Sequence, residues 1–231
     1  LHKSWRIKTD SAETADELVL KYRGLLHQEP DVTGVALCST VPAVLHQMRL
    51  MIDRYFPDIP IVIVEPGIKT GVPILTDNPK EVGADRIVNT LAAHHLFGGP
   101  CIVVDFGTST NLDVVSDSGE FLGGALAPGI EISLEALAER AAQLRKVELV
   151  APRSVIGKNT VEALQSGAIY GFAGQVDGLV ERIIKETGPV TAVIATGGLS
   201  QIVVSESRTI THHEPDLTLL GLALLFEKNQ I

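Results

Sequence analysis

Hydrophobic positions along the 231-residue chain repeat with periods near two and near 3.6, in short segments separated by turn formers. Alternation over 4–9 (SWRIKT), with Trp5 and Ile7 on one side, predicts a strand. Thr14, with Glu17 three residues on, heads an apolar-periodic run to Leu26 and predicts a capped helix. The β-branched run 33–39 predicts the next strand, and 43–55 a helix with Leu45, Met48, Met51 and Ile52 on one face. A further strand is expected at 61–64, so the order strand, helix, strand, helix, strand indicates a layered βαβ-type domain. Segment 66–78 holds two glycines and two prolines and reads as a loop before a helix over about 80–95. Gly98-Gly99-Pro100 closes that helix and is the expected lobe boundary.

The pattern then restarts. Strands are expected at 101–105, 111–116 and 120–127, turning at Gly107 and at Asp117-Ser118-Gly119. Helical spacing covers 131–145 and 160–185, a buried strand 191–195 ends at Thr196-Gly197-Gly198, and a C-terminal helix occupies 215–228.

Composition narrows the class. An apolar content of 45% with only 4% aromatics suits an α/β protein packed with Ala, Val, Ile and Leu. A formal charge of −9 makes nucleic acid and anionic membranes poor partners for the whole molecule, although a local basic site stays open. No apolar run approaches the roughly 20 residues of a membrane span, and no secretory signal is visible. Cys38 and Cys101 lie in apolar runs and read as buried, reduced thiols of a soluble cytoplasmic protein, without metal-ligand spacing. Leu1 stands where a Met would, so the natural start is expected upstream.

Four segments could carry chemistry. In Ile102-Val103-Val104-Asp105-Phe106-Gly107-Thr108-Ser109-Thr110 a strand delivers a carboxylate to a glycine turn followed by three hydroxyls. This is either a phosphate clamp or an ordinary hairpin capped by Asp105, and the clustered hydroxyls favour the clamp. Asp85-Arg86, in DNPKEVGADR, could be a proton acceptor beside a guanidinium fork for a carboxylate, or a helix-surface pair. Gly157-Lys158-Asn159-Thr160 resembles the end of a phosphate loop but lacks its upstream glycine, leaving a loop and a helix capped by Thr160, with Thr160 or Lys158 able to touch a ligand. Ala195-Thr196-Gly197-Gly198 is a strand and glycine turn where a base or ribose could approach the backbone. His94-His95 and His212-His213 lack metal spacing and read as surface or satisfied core residues, and no dinucleotide fingerprint follows any strand.

Taken in order, these segments resemble the type III pantothenate kinases of the actin-like, sugar-kinase and Hsp70 superfamily. The matching stretches are WRIKT, TADEL, EPGIKTGVPI, DNPKEVGADRIVN, VVDFGTST, GEFLGGALAPGI, SVIGKNTVEALQSG, GQVDGLVERI and ATGGL. The resemblance implies two actin-like (ribonuclease H-like) α/β lobes with mixed sheets, 1–97 and 98–231, working as a homodimer. It implies transfer of the ATP γ-phosphoryl group to pantothenate, opening coenzyme A synthesis, with ATP accompanied by Mg2+ and with K+ or NH4+ as monovalent cation. Gly83, Ala84, Asp85 and Arg86 would bind pantothenate, with Asp85 as proton acceptor and Arg86 as carboxylate ligand. Thr160 would touch pantothenate, Thr108 the ATP phosphates, and Asp105 the monovalent cation. Two departures stand out: Thr76 occupies a position that is Tyr in many members, and the Asp-x-Gly-Asn-Thr hairpin that opens the family's first lobe has no match. That hairpin is expected upstream of Leu1; its loss would instead favour a catalytically silent homologue that binds a ligand or partner.

Overall fold

The computed structural model describes residues 1–140 and 147–230. Two compact units result, one made of 1–71, 78–92 and 218–231, the other of 72–77 and 93–217.

In the first unit, α1 (Ala15–Leu26) starts at a complete capping box: Thr14 Oγ1 accepts from the Glu17 amide, and the Glu17 carboxylate accepts from the Thr14 amide at 2.9 Å. Its buried stripe of Ala15, Leu18 and Val19 packs on Met48, Met51 and Ile52 of α2 (Pro42–Tyr55), the face read from the spacing. Tyr55 and Arg54 both donate to Asp16, at 2.7 and 2.6 Å, closing the helix pair at its rim. Two short strands, β1 (Val35–Leu37) and β2 (Ile61–Ile63), run parallel with Val35 opposite Ile61. Val62 and Val64 then pack on Val88 of α3 (Ala84–Phe97) and Leu225 of α7 (Leu217–Lys228). A Cβ on Gly221 would lie 2.3 Å from the Val88 carbonyl oxygen, so glycine lets these helices approach.

Segment 4–9 forms no strand. Its alternation is real, but a strand exists only through ladder hydrogen bonds, and no described residue pairs with this one. Trp5 and Ile7 are left 42% and 40% exposed, with the Lys3 ammonium 5.4 Å from the Trp5 ring centre.

The second unit is built on a five-stranded mixed sheet in the order β5-β4-β3-β6-β7. β3 (Cys101–Phe106), β4 (Ser109–Val115) and β5 (Phe121–Pro128) form an antiparallel meander; β6 (Ala192–Thr196) and β7 (His212–His213) extend it in parallel from β3. The three meander strands and β6 match the strands expected from the sequence, and β7 adds a fifth that was not expected. Between β5 and β6 come α4 (Ile130–Arg140) and α5 (Thr160–Thr187), and the short α6 (Ser200–Val204) follows β6. Of the predicted helix 131–145, the part beyond Arg140 lies outside the described residues.

Ala168, Ala173, Val176 and Val180 lie on the buried face of α5 and share one core with Ile102, Val104 and Phe106. By strand alternation Cys101, Val103 and Asp105 point to the other face, where Cys101 and Val103 are also fully buried. Burial lifts the Cys101 thiol to about 12 and, together with the Asp85 charge, that of half-buried Cys38 to about 11. Neither α6 nor β7 was legible, because one turn and two residues are too short to show a period. His212, read as a surface or satisfied core side chain, packs its ring 4.7 Å from that of Phe97. Among the described residues no helix is long and apolar enough to cross a membrane.

A buried carboxylate fixes the segment between α6 and β7. Asp177 of α5 is 3% exposed and accepts from the Ser207 hydroxyl at 2.6 Å, the Thr209 hydroxyl at 2.8 Å and the backbone amides of Arg208 and Thr209, each at 3.1 Å. Burial works to raise its pKa, but these donors outweigh it and hold the group at about 2. Because the folded pKa is depressed, the stabilisation is complete above the unfolded aspartate value near 4 and disappears as pH falls through about 2. Asp177→Asn should therefore cost roughly 2 kcal/mol at neutral pH, and denaturant unfolding should show the gap from wild type closing between about pH 4 and pH 2.

Candidate functional site

Each unit carries one group of the residues singled out in the sequence. In the first, a 3-10 turn at Pro79–Glu81 leads through Val82 and Gly83 into α3, placing Asp85 and Arg86 in its first turn. Gly83 O accepts from the amides of Arg86 at 3.1 Å and Ile87 at 3.3 Å. Asp85 Oδ1 accepts from the Arg86 amide at 2.9 Å, and a carboxylate is favoured there by the positive end of the helix dipole. A Cβ on Gly83 would stand 2.6 Å from that same oxygen, so the carboxylate occupies its position only beside glycine. Asp85 and Arg86 are both half-buried. The Thr90 hydroxyl donates to the Arg86 carbonyl at 2.8 Å, pinning the helix from its fully buried side. Gly83, Ala84, Asp85 and Arg86 thus form one contiguous corner, next to the Cys38 end of β1.

In the second unit, Asp105 stands near the end of β3, directly opposite Asn111 of β4 on one side and Thr196 of β6 on the other. Residues in register across a sheet share a face, so these three form a polar row beside the hairpin tip. Asn111 and Thr196 are 8% and 1% exposed. Ser109 donates to Asn111 Oδ1 at 3.0 Å, and the Gly107 amide donates to the Ser109 carbonyl at 3.0 Å, which closes the tip. Thr108 is exposed at that tip, its carbonyl accepting from the Gly129 amide at 3.0 Å. Of the three hydroxyls at the tip only that of Thr108 is exposed, Ser109 being spent on Asn111 and Thr110 fully buried; the row offers oxygens for a hard cation and Thr108 a donor for an anionic group.

Two glycines wall this hairpin. A Cβ on Gly129 would meet the carbonyl oxygens of Thr108 and Gly107 at 2.4 and 2.5 Å. One on Gly197, at φ +89°, would meet Asp105 Oδ1 at 2.4 Å and the Phe106 oxygen at 2.6 Å. Thr196 and Gly197 were singled out as a strand and glycine turn, without their relation to Asp105. Asn111 and Gly129 were not singled out at all. The polar–apolar alternation of Asn111-Leu112-Asp113 was the available signal for Asn111, whereas Gly129 had none short of the hairpin itself.

Thr160 belongs to another element, the first turn of α5, and is exposed. Asn159, one residue before the Thr160 expected as the cap, caps that helix by accepting from the Glu162 amide at 2.9 Å, because its extended backbone turns the side-chain oxygen onto the helix start. Glu162 in turn accepts from the Lys158 amide at 2.9 Å and from Arg153 at 2.5 and 2.8 Å, folding 153–159 onto the helix start. The Lys158 amide and these donors hold the Glu162 carboxyl below the usual range. Gly157 lies so near Ala163 that a Cβ would be 2.4 Å from its amide nitrogen.

Substituting Gly197 by Ala forces both a left-handed backbone and a collision with backbone and carboxylate oxygens. Gly197→Ala should cost more than about 2 kcal/mol in denaturant unfolding, while Ala at Gly188, which shares a positive φ but has no atom near its Cβ position, should cost less.

A family model described as type III pantothenate kinase matches residues 1–182. A type III pantothenate kinase of Frankia alni is 71% identical over 229 residues, covering 99% of this chain and 91% of its own length. One of Salinispora arenicola is 66% identical over 227 residues, covering 98% and 90%. Among solved structures, an inorganic polyphosphate/ATP-glucomannokinase of an Arthrobacter strain aligns with 94% of this chain and 83% of its own, at 14% identity and a TM-score of 0.45.

Proposed function

We propose that this chain, which belongs to the type III pantothenate kinase family, transfers the γ-phosphoryl group of ATP to the primary hydroxyl of pantothenate, the opening step of coenzyme A synthesis. The observation that carries the reading is the corner at Gly83–Arg86, where a glycine makes room for one carboxylate oxygen at a helix start and a guanidinium follows at once.

The residues divide the work. Arg86 binds the pantothenate carboxylate through its fork of donors, and Gly83 and Ala84 line the same corner. Asp85 accepts the hydroxyl proton as the oxygen bonds to the γ-phosphorus and the bond from that phosphorus to the β-phosphate oxygen breaks, leaving ADP. Thr160 offers its exposed hydroxyl to pantothenate. Thr108 and the neighbouring amides hold phosphate oxygens, whose magnesium arrives with the nucleotide. Phosphoryl transfer asks mainly for alignment and charge neutralisation, and these groups supply both.

Asp105, with Asn111 and Thr196 beside it, offers the oxygen donors that suit a hard monovalent cation. Potassium or ammonium bound there would offset phosphate charge. The proposed functional lobes are 1–97 and 98–231, in a homodimer of the cytoplasm; the 67%-exposed Leu126 on β5 supplies apolar surface that such a dimer could cover.

Asp85→Asn should lower steady-state pantothenate phosphorylation by at least about a hundredfold while nucleotide affinity stays close to wild type. Near-normal turnover in that variant would remove Asp85 from the proton-accepting role. Turnover should also be faster in potassium or ammonium buffer than in sodium alone, and Asp105→Asn should abolish the difference. Equal rates of the wild type in all three buffers would count against the cation assignment.

A further inference from the structure

His213 was read as a surface or satisfied core residue, but it stands where the glycine turn behind Asp105 can be held. β7 is attached to β6 by pairing of Ala195 with His213 and by the Glu214 amide donating to the Ala195 carbonyl at 2.9 Å. That attachment brings His213 Nε2 to 2.8 Å from the Ser200 hydroxyl oxygen. Ser200, 1% exposed, donates its single hydroxyl hydrogen to the Gly197 carbonyl at 2.7 Å. With that hydrogen committed, Nε2 must carry a proton and donate to Ser200. A chain of two hydrogen bonds therefore runs from His213 through Ser200 to Gly197, each donor polarising the next.

The opposite side of the same turn is fixed by the hairpin. Leu199 donates its amide to the Phe106 carbonyl at 3.3 Å, and the space for a Cβ at Gly197 is taken by Asp105 Oδ1 and the Phe106 oxygen. The turn 197–199 is thus held between Asp105 and the His213–Ser200 pair, and a drift of Gly197 would change what packs against Asp105 Oδ1. We infer that Ser200 and His213 are positioning residues of the nucleotide side of the site, holding the Gly197 turn so that Asp105 and the hairpin tip keep the geometry that ATP and its cation require. The inference rests on the assignment of Asp105 and Thr108 to phosphate and cation binding. Neither Ser200 nor His213 is placed on substrate.

The test uses the full chain with His213→Gln, which keeps an N–H donor, His213→Phe, which keeps a ring without one, and Ser200→Ala. Steady-state kinetics against ATP and pantothenate are read beside ADP binding by calorimetry and amide hydrogen exchange at 197–199. His213→Phe and Ser200→Ala should raise the KM for ATP and weaken ADP binding by about tenfold, the scale of one lost hydrogen bond, with the KM for pantothenate unchanged. Exchange at 197–199 should quicken in both, and His213→Gln should recover most of the loss. His213 is exposed, so its variants remain informative even if Ser200→Ala fails to fold. An unchanged KM for ATP, unchanged ADP affinity and unchanged exchange in His213→Phe would overturn the inference, as would an equal rise in both KM values. A wild type that binds ADP but phosphorylates no pantothenate would refute the kinase assignment; the binding and exchange readouts would still decide the role of His213.

Discussion

The parallel pairing of β3 with β6 is the constraint on which the second unit depends. It sets Asp105 opposite Thr196, and the next residue of β6, Gly197, must then turn in the space directly against the Asp105 carboxylate. A slip of one residue would send every side chain of the strand to the other face. Asp105 would then face the apolar layer of α5, and Val104 would take its place in the polar row. Burial of Ile102, Val104 and Phe106 against that helix is therefore what holds the carboxylate on the opposite face of the sheet.

Glycine plays the complementary part. At Gly83, Gly129 and Gly197 the absent Cβ is replaced by an oxygen, either the carboxylate of Asp85 or Asp105 or a carbonyl of the hairpin. Close approach of backbone to acidic groups is thus obtained without enlarging the site, and only at Gly197 is a left-handed backbone also required. The loops around these positions are tied by carboxylates with several donors each. Asp177 holds 207–209, and Glu162 holds 153–158. A carboxylate satisfied by three or more donors offsets its own desolvation, which is why such groups serve as anchors in place of an apolar contact.

The two units organise polar groups differently. In the first, the corner is local: Gly83, Asp85 and Arg86 lie within four residues, and a helix start supplies the alignment. In the second, the polar row is assembled from three strands: Asp105 and Asn111 face each other across one hairpin, and Thr196 comes from a strand about ninety residues further on. The row is only as good as the register of the sheet.

This difference separates what could be read in the sequence from what could not. Helices with capping signals and strong periodicity, α1, α2 and α5, were legible, as were the strands of the meander and the corner at Asp85, because each is decided within one or two turns of chain. The strand expected at 4–9 was not formed, since alternation names a face but provides no partner. The row around Asp105, the oxygens that press on Gly197 and the link from His213 through Ser200 were decided by tertiary structure alone. They depend on β6 lying beside β3 in parallel, about ninety positions away in the chain, and on β7 returning beside β6, and no local pattern of residues encodes that strand order or register.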